Sequence, residues 1–227
     1  LNTVMLNLVS MLVTFLIAVP LGIATAVRKN GVFDKTIQVV TIIGYSLPSF
    51  IIALLAIFAF AVKIPIFPIS GVRTAGFEGN ALQTALDTLW HMSLPVIVMS
   101  ISGIGSITRY VRAAMIDVLR MDYIKTARAK GLGERAGMVR HAFRGALTPV
   151  LTTVLVHIPH IIGGSVVVEQ VFGWPGMGSL LFWGIENRDY PVVMGVTVVI
   201  ALAVLLTNLL LDLAYGLADP RVRYGRG

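Results

Sequence analysis

LNTVMLNLVSMLVTFLIAVPLGIATAV, residues 1–27, carries no charged side chain before Arg28. A bilayer core about 30 Å thick is crossed by about 20 mostly apolar helical residues. This run is long enough, and four others match it: residues 36–62, 92–115, 149–171 and 192–217. The second holds a proline inside YSLPSF (residues 45–50), and the third is interrupted near its end by Arg109 and Arg112. Strands of a membrane barrel alternate polar and apolar residues over about 10 positions. These runs are continuously apolar and longer. The expected fold is an all-α membrane protein with five transmembrane helices.

Composition agrees. Of the 227 residues, 56% are hydrophobic and 13% charged, with a mean hydropathy of +0.86. Soluble domains average about 25% charged residues. Cysteine is absent, which excludes disulfides and thiolate metal sites. The first residue is Leu1, inside an apolar run, with no charged leader region or small-residue cleavage site. No signal peptide is expected, and the start implies that an upstream segment is missing.

A net charge of +7 would point to nucleic acid in a soluble protein. In a membrane protein it points to cytoplasmic loops, which collect Lys and Arg. Only Lys63, Arg73 and Arg188 fall on one side of the five spans. The rest of the 18 basic residues fall on the other: Arg28, Lys29 and Lys35, then nine from Arg109 to Arg144, then Arg221, Arg223 and Arg226. That bias places residues 116–148 and the C-terminus in the cytoplasm and the N-terminus outside.

The two external loops, about 63–91 and 172–191, differ in character. Leu82, Leu86 and Leu89 recur at helical spacing and predict a short helix lying on the membrane surface. VFGWPGMGSLLFWGIENRDYP (residues 171–191) opens with glycines that resist a continuous helix, and its Trp174 and Trp183 suit a membrane interface.

Several chemistries are absent. No G-x-x-x-x-G-K-[ST] occurs, so the chain has no phosphate-binding loop of its own. Gly131–Leu132–Gly133 follows no strand and does not complete a dinucleotide pattern. His157 and His160 share a helix face and read either as a metal or proton site or as hydrogen-bonded polar residues inside the bundle. No second ligand cluster is visible nearby, which favours the latter. No metal or cofactor is expected. Glu169 and Asp212, the latter four residues after Asn208, lie near span ends and read as interhelical hydrogen-bond partners. Ser100, Ser102, Gly103, Gly105 and Ser106 either allow close helix packing or line a path, with packing preferred. Pro48 and Pro95 are expected to kink their helices.

The segment TARAKGLGERAGMVRHAFRG (residues 126–145) is more ordered than a basic linker needs to be. Ala, Arg and Lys favour a helix up to Lys130. Gly131 and Gly133 break it. Met138, Val139, Ala142 and Phe143 then form an apolar stripe beside Arg140 and Arg144. Helix, glycine turn and amphipathic helix make a docking surface for another protein. Anionic lipid is the second reading. Nucleic acid is disfavoured, because Tyr123 and Phe143 are the only aromatic residues there.

YIKTARAKGLGERAGMVRHAFRGALTPVL (residues 123–151) resembles the coupling loop of ABC-transporter permeases of the binding-protein-dependent type. More narrowly, it resembles the dipeptide/oligopeptide subfamily, which includes nickel and glutathione permeases. VPLGIATAVRKNGVFDK, YSLPSF, VVVEQVFGWPGMGSLL, NRDYPVVMG and DLAYGLADPRVRYG are similar to that family in the same order, so the resemblance covers nearly the whole chain. The broad permease pattern is Glu-Ala-Ala, three residues, then Gly. Here Lys125, Thr126 and Ala127 stand in those places before Gly131, a form the peptide subfamily tolerates. Family members usually begin with one more span and an external domain, absent from this sequence.

The resemblance implies a type I importer transmembrane domain over residues 1–227, without catalytic residues of its own. It implies a bacterial or archaeal cell membrane, a second permease subunit as a heterodimer partner, two cytoplasmic ATPases and an external solute-binding protein. Lys125, Thr126, Ala127, Arg128, Ala129, Lys130, Gly131 and Leu132 would form the ATPase contact, with Ala127, Gly131 and Leu132 seating the turn. Gly173, Trp174, Pro175 and Gly176 would shape an external gate or loop facing the pore mouth or the binding protein. The implied cargo is a di- or oligopeptide, with a nickel chelate or glutathione as the alternative. A secondary carrier or channel without an ATPase, or a non-transporting scaffold, is the reading from another class.

Overall fold

The computed structural model describes residues 1–122, 143, 150, 161 and 165–218. Among these, helices are α1 (Asn2–Val27), α2 (Val32–Ser46), α3 (Ser49–Ile57), α4 (Ala81–Leu119), α5 (Val166–Val171), α6 (Met177–Glu186) and α7 (Tyr190–Ala218). A π-helical turn, Phe58–Lys63, continues α3. No strand occurs among the described residues.

The spine is the pair α1 and α4. Thr3, Asn7, Ser10, Thr14, Ala18, Gly22 and Thr25 are buried on α1. Their spacing of three or four puts them on one face. Lipid gives no hydrophobic drive between helices, so small side chains that let backbones approach hold them together. A Cβ on Gly22 would stand 2.7 Å from Val111 Cβ and 2.9 Å from the Thr108 carbonyl oxygen. One on Gly103 would stand 2.9 Å from Thr14 Cγ2. The polar groups on this face are satisfied locally: Ser10 Oγ donates to the Leu6 carbonyl at 2.8 Å and Thr14 Oγ1 to that of Ser10 at 2.7 Å. Ser100 Oγ reaches across to the Ser10 carbonyl at 3.2 Å. Gly105 faces α2 instead, where a Cβ would lie 2.8 Å from the Thr41 carbonyl oxygen. The small residues of α4 are thus packing residues for two neighbours.

Gly22→Val is expected to force α1 from α4 and cost about 1–3 kcal/mol. Gly195, with open space around it, is the control. The unfolding midpoint in detergent should fall for Gly22→Val and stay near wild type for Gly195→Ala.

Pro48 does more than kink its span. Leu47 is extended, with φ −82° and ψ 132°, because a residue preceding proline is pushed out of the helical region. The helices on either side are bent by 96°. Pro95, by contrast, lies inside a continuous α4.

The expected surface helix around Leu82 is not separate. Asn80 accepts from the Gln83 amide at 2.9 Å while Gln83 Oε1 accepts from the Asn80 amide at 3.0 Å. This reciprocal cap starts a helix that then runs for 39 residues into the third span. Leu82, Leu86 and Leu89 are exposed on its first turns.

Among the described residues, three helices are long and apolar enough to cross a membrane: α1, α4 and, in α7, Tyr190–Leu211. The bent pair 32–46 and 49–63 adds a fourth if it counts as one span. The fourth predicted span, 149–171, lies mostly outside the described residues, as do His157 and His160. α7 keeps its leucines exposed, among them Leu202, Leu205, Leu206, Leu209 and Leu210, as a helix facing lipid would.

Candidate functional site

Two clusters of buried polar groups sit near opposite ends of α1. The first is the elbow between α5 and α6. Gly173 takes a left-handed φ of 58°, which glycine adopts without steric cost. The Phe172 carbonyl accepts from the Gly71 amide at 2.9 Å. Trp174 then turns inward. It is fully buried with Leu6, Met92 and Val96, and its Nε1 donates to the Asn2 carbonyl at 3.2 Å. Asn2 Nδ2 donates back to the Pro175 carbonyl at 2.9 Å. The elbow is therefore pinned to the start of α1.

The first turn of α6 completes the cluster. Its leading amides have no partners within the helix. The Met177 amide donates to Thr3 Oγ1 at 2.7 Å, and the Ser179 amide donates to Glu169 Oε2 at 2.9 Å. A carboxylate at a helix N-terminus is favoured by the aligned peptide dipoles. Ser179 Oγ accepts from the Gly176 amide at 2.8 Å. Glu169 is fully buried, and its Oε1 has no hydrogen-bond partner among the described residues. A Cβ on Gly176 would collide with both the Glu169 carboxylate and the Thr3 hydroxyl. One on Gly178 would lie 2.7 Å from Val166 Cα.

The structure corrects the sequence reading at Trp174. Trp174 is not at an interface: it is fully buried, and its one polar edge is satisfied by a backbone carbonyl. Trp183 is half exposed. Glu169 of α5 does make the interhelical hydrogen bond expected of it, and its partner is the first turn of α6. Of the four residues assigned to an external gate or loop, Trp174, Pro175 and Gly176 lie against the start of α1, and Gly173 lies beside Ser70. Thr3 had no signal in the sequence, since nothing there couples it to residues far along the chain.

The second cluster centres on Asp34, in the first turn of α2 and 1% exposed. Arg112 of α4 meets it in a bidentate pair, Nε to Oδ1 and Nη2 to Oδ2, both at 2.7 Å. The Asn30 amide donates to Oδ2 at 2.8 Å, and Gln38 Nε2 to Oδ1 at 3.1 Å. One turn earlier on α4, the Arg109 guanidinium lies 5.0 Å from the centre of the Tyr45 ring. The two charges that interrupt the third span are thus both directed at α2. Their sequence positions explained them only as basic residues near a membrane surface.

Between these clusters α1 and α4 line an open groove of about 220 Å³, walled by Asn7, Ser10, Thr14, Met99 and Gly103 among others. Its hydroxyls are spent on their own helices, so its walls are mainly apolar. No group of three or more possible metal ligands occurs among the described residues. Lys125, Thr126, Ala127, Arg128, Ala129, Lys130, Gly131 and Leu132 lie outside the described residues.

The chain matches the family described as binding-protein-dependent transport system inner membrane component over residues 18–224. It belongs to that family. Its relatives include the oligopeptide transport system permease protein AppB of Bacillus subtilis (strain 168), 41% identical over 223 residues, which cover 98% of this chain and 69% of the relative. The di/tripeptide transport system permease protein DppB of Pseudomonas aeruginosa (strain UCBPP-PA14) is 36% identical, covering 99% and 71%. The dipeptide transport system permease protein DppB of Escherichia coli (strain K12) is 34% identical, covering 98% and 70%. The long apolar helices and the elbow therefore belong to a membrane-embedded permease of the ABC importer type, with Trp174, Glu169 and Asp34 as buried anchors of its helices.

Proposed function

We propose that this permease forms half of the translocation path of an ATP-driven importer for di- or oligopeptides. The observation that carries the reading is that peptide permeases match almost the full chain at up to 41% identity. A second permease subunit would supply the other half, as a heterodimer. An external solute-binding protein would deliver the peptide. Two cytoplasmic ATPases would bind the loop at about 116–148, and the closing of the ATPase pair would drive alternating access. The sequence is consistent with this division, since it lacks a phosphate-binding loop. The bias of the basic residues supports a cytoplasmic position for that loop and the C-terminus.

The helix–glycine–helix order expected from the sequence would make Gly131 the centre of a docking turn. Gly131→Val is expected to reduce both peptide uptake and co-purification of the ATPases, by about tenfold or more, since a bulky residue at a tight turn is disfavoured. Unchanged values for both would end this reading of the loop. A secondary carrier would instead show gradient-driven uptake in vesicles without nucleotide. Competition of labelled dipeptide by longer peptides, glutathione or a nickel chelate separates the cargo classes.

A further inference from the structure

We propose that Asp34 and Arg112 are positioning residues for transport, locking the α1–α2 turn, α2 and α4 into one rigid body at the root of the loop that follows α4. The proposal rests on the importer reading above for its function, but its geometry stands apart from it. Three elements converge on one carboxylate: the turn through the Asn30 amide, α2 through Gln38, and α4 through Arg112. Asn30 presents its amide from a left-handed φ of 64°.

Packing alone would not give this rigidity. The α2–α4 contact is made by Gly105 against Thr41 and by ring and aliphatic surfaces, which can slide or rotate at small cost. A bidentate guanidinium–carboxylate pair has a fixed direction and distance. Buried in this way it specifies register more than it adds stability. Arg112 lies two helical turns before Leu119, where α4 ends. Displacement of the following loop would therefore pull α2 along with α4. The far end of α2 is the break at Leu47 and Pro48, with its 96° bend, so the body ends where the chain can pivot.

The test uses the complete transporter in liposomes, with the Asp34→Asn variant and the Asp34→Arg/Arg112→Asp exchange. Asp34→Asn is expected to lower uptake of a labelled dipeptide about tenfold while the ATPases still bind and hydrolyse ATP, the scale of a typical coupling energy. The exchange should restore most of the uptake, which a requirement for either residue alone would not allow. The chain has no cysteine, so nitroxide labels at Val40→Cys and Tyr110→Cys, both on exposed positions, report the α2–α4 distance directly. That distance should stay the same between nucleotide-free and vanadate-trapped states, and its distribution should broaden in Asp34→Asn.

An α2–α4 distance that changes with nucleotide in the unsubstituted pair would overturn the rigid body. Full uptake by Asp34→Asn would do the same. If Asp34→Asn fails to assemble, the label distance in the background with Asp34 intact still decides. Failure of the ATPases to associate with the wild-type chain would reject the importer reading instead, and the label distances would still test the clamp independently.

Discussion

Trp174→Ala is expected to lower stability by about 3–5 kcal/mol, the range for deleting a large buried aromatic side chain. The indole is wholly buried against Leu6, Met92 and Val96. These come from α1 and α4, so the cavity left behind opens between the two spine helices and the elbow. Truncation also removes the hydrogen bond that Nε1 donates to the Asn2 carbonyl at 3.2 Å. Trp174→Phe should recover most of the packing and none of the hydrogen bond, leaving a deficit of about 0.5–1.5 kcal/mol. Trp183, half exposed, is the matched control, and Trp183→Ala should change stability little. The midpoint of SDS-induced or thermal unfolding in detergent reads all three. Equal losses for Trp174→Ala and Trp183→Ala would show that burial of Trp174 does not hold the elbow.

Gly176→Val is expected to be at least as damaging, for a different reason. The Gly176 φ is −134°, a value open to any residue, so the cost is not backbone strain. It is space: the new Cβ would take the place of the Glu169 carboxylate and the Thr3 hydroxyl. Moving those groups breaks the bonds to the Met177 and Ser179 amides and leaves a buried carboxylate without a donor. Removing one partner of a buried charge costs about 3–5 kcal/mol. A double-mutant cycle identifies the mechanism, because groups in contact do not add. Glu169→Ala should destabilise the wild-type chain, yet cost much less in the Gly176→Val background. Strict additivity would sink the steric account.

Some of this was legible in the residues. The apolar runs that become α1 and α7 follow from length and hydropathy, and the break at Leu47–Pro48 follows from proline chemistry, though its size does not. The reciprocal cap of Asn80 and Gln83 came from the structure. It shows that α4 starts at Ala81 rather than near Met92, and that the stripe of Leu82, Leu86 and Leu89 belongs to the rod. The small residues from Ser100 to Ser106 were legible as packing residues, but not the division by which Gly103 serves α1 and Gly105 serves α2.

What the sequence by itself determined is the class of the protein: helices for a lipid solvent, a charge bias across it, and the ordered motifs of a permease family. Hydropathy and proline geometry act within a few turns of chain, so the order of residues is enough to read them. Only the tertiary structure decided which partners the buried polar groups take. Trp174 finds Asn2, Glu169 finds the start of α6 beside Thr3, and Asp34 finds Arg112. A buried polar atom must pair with whatever donor or acceptor the packing brings within about 3 Å. That choice is made by helices meeting in space, over separations on which local residue patterns are silent.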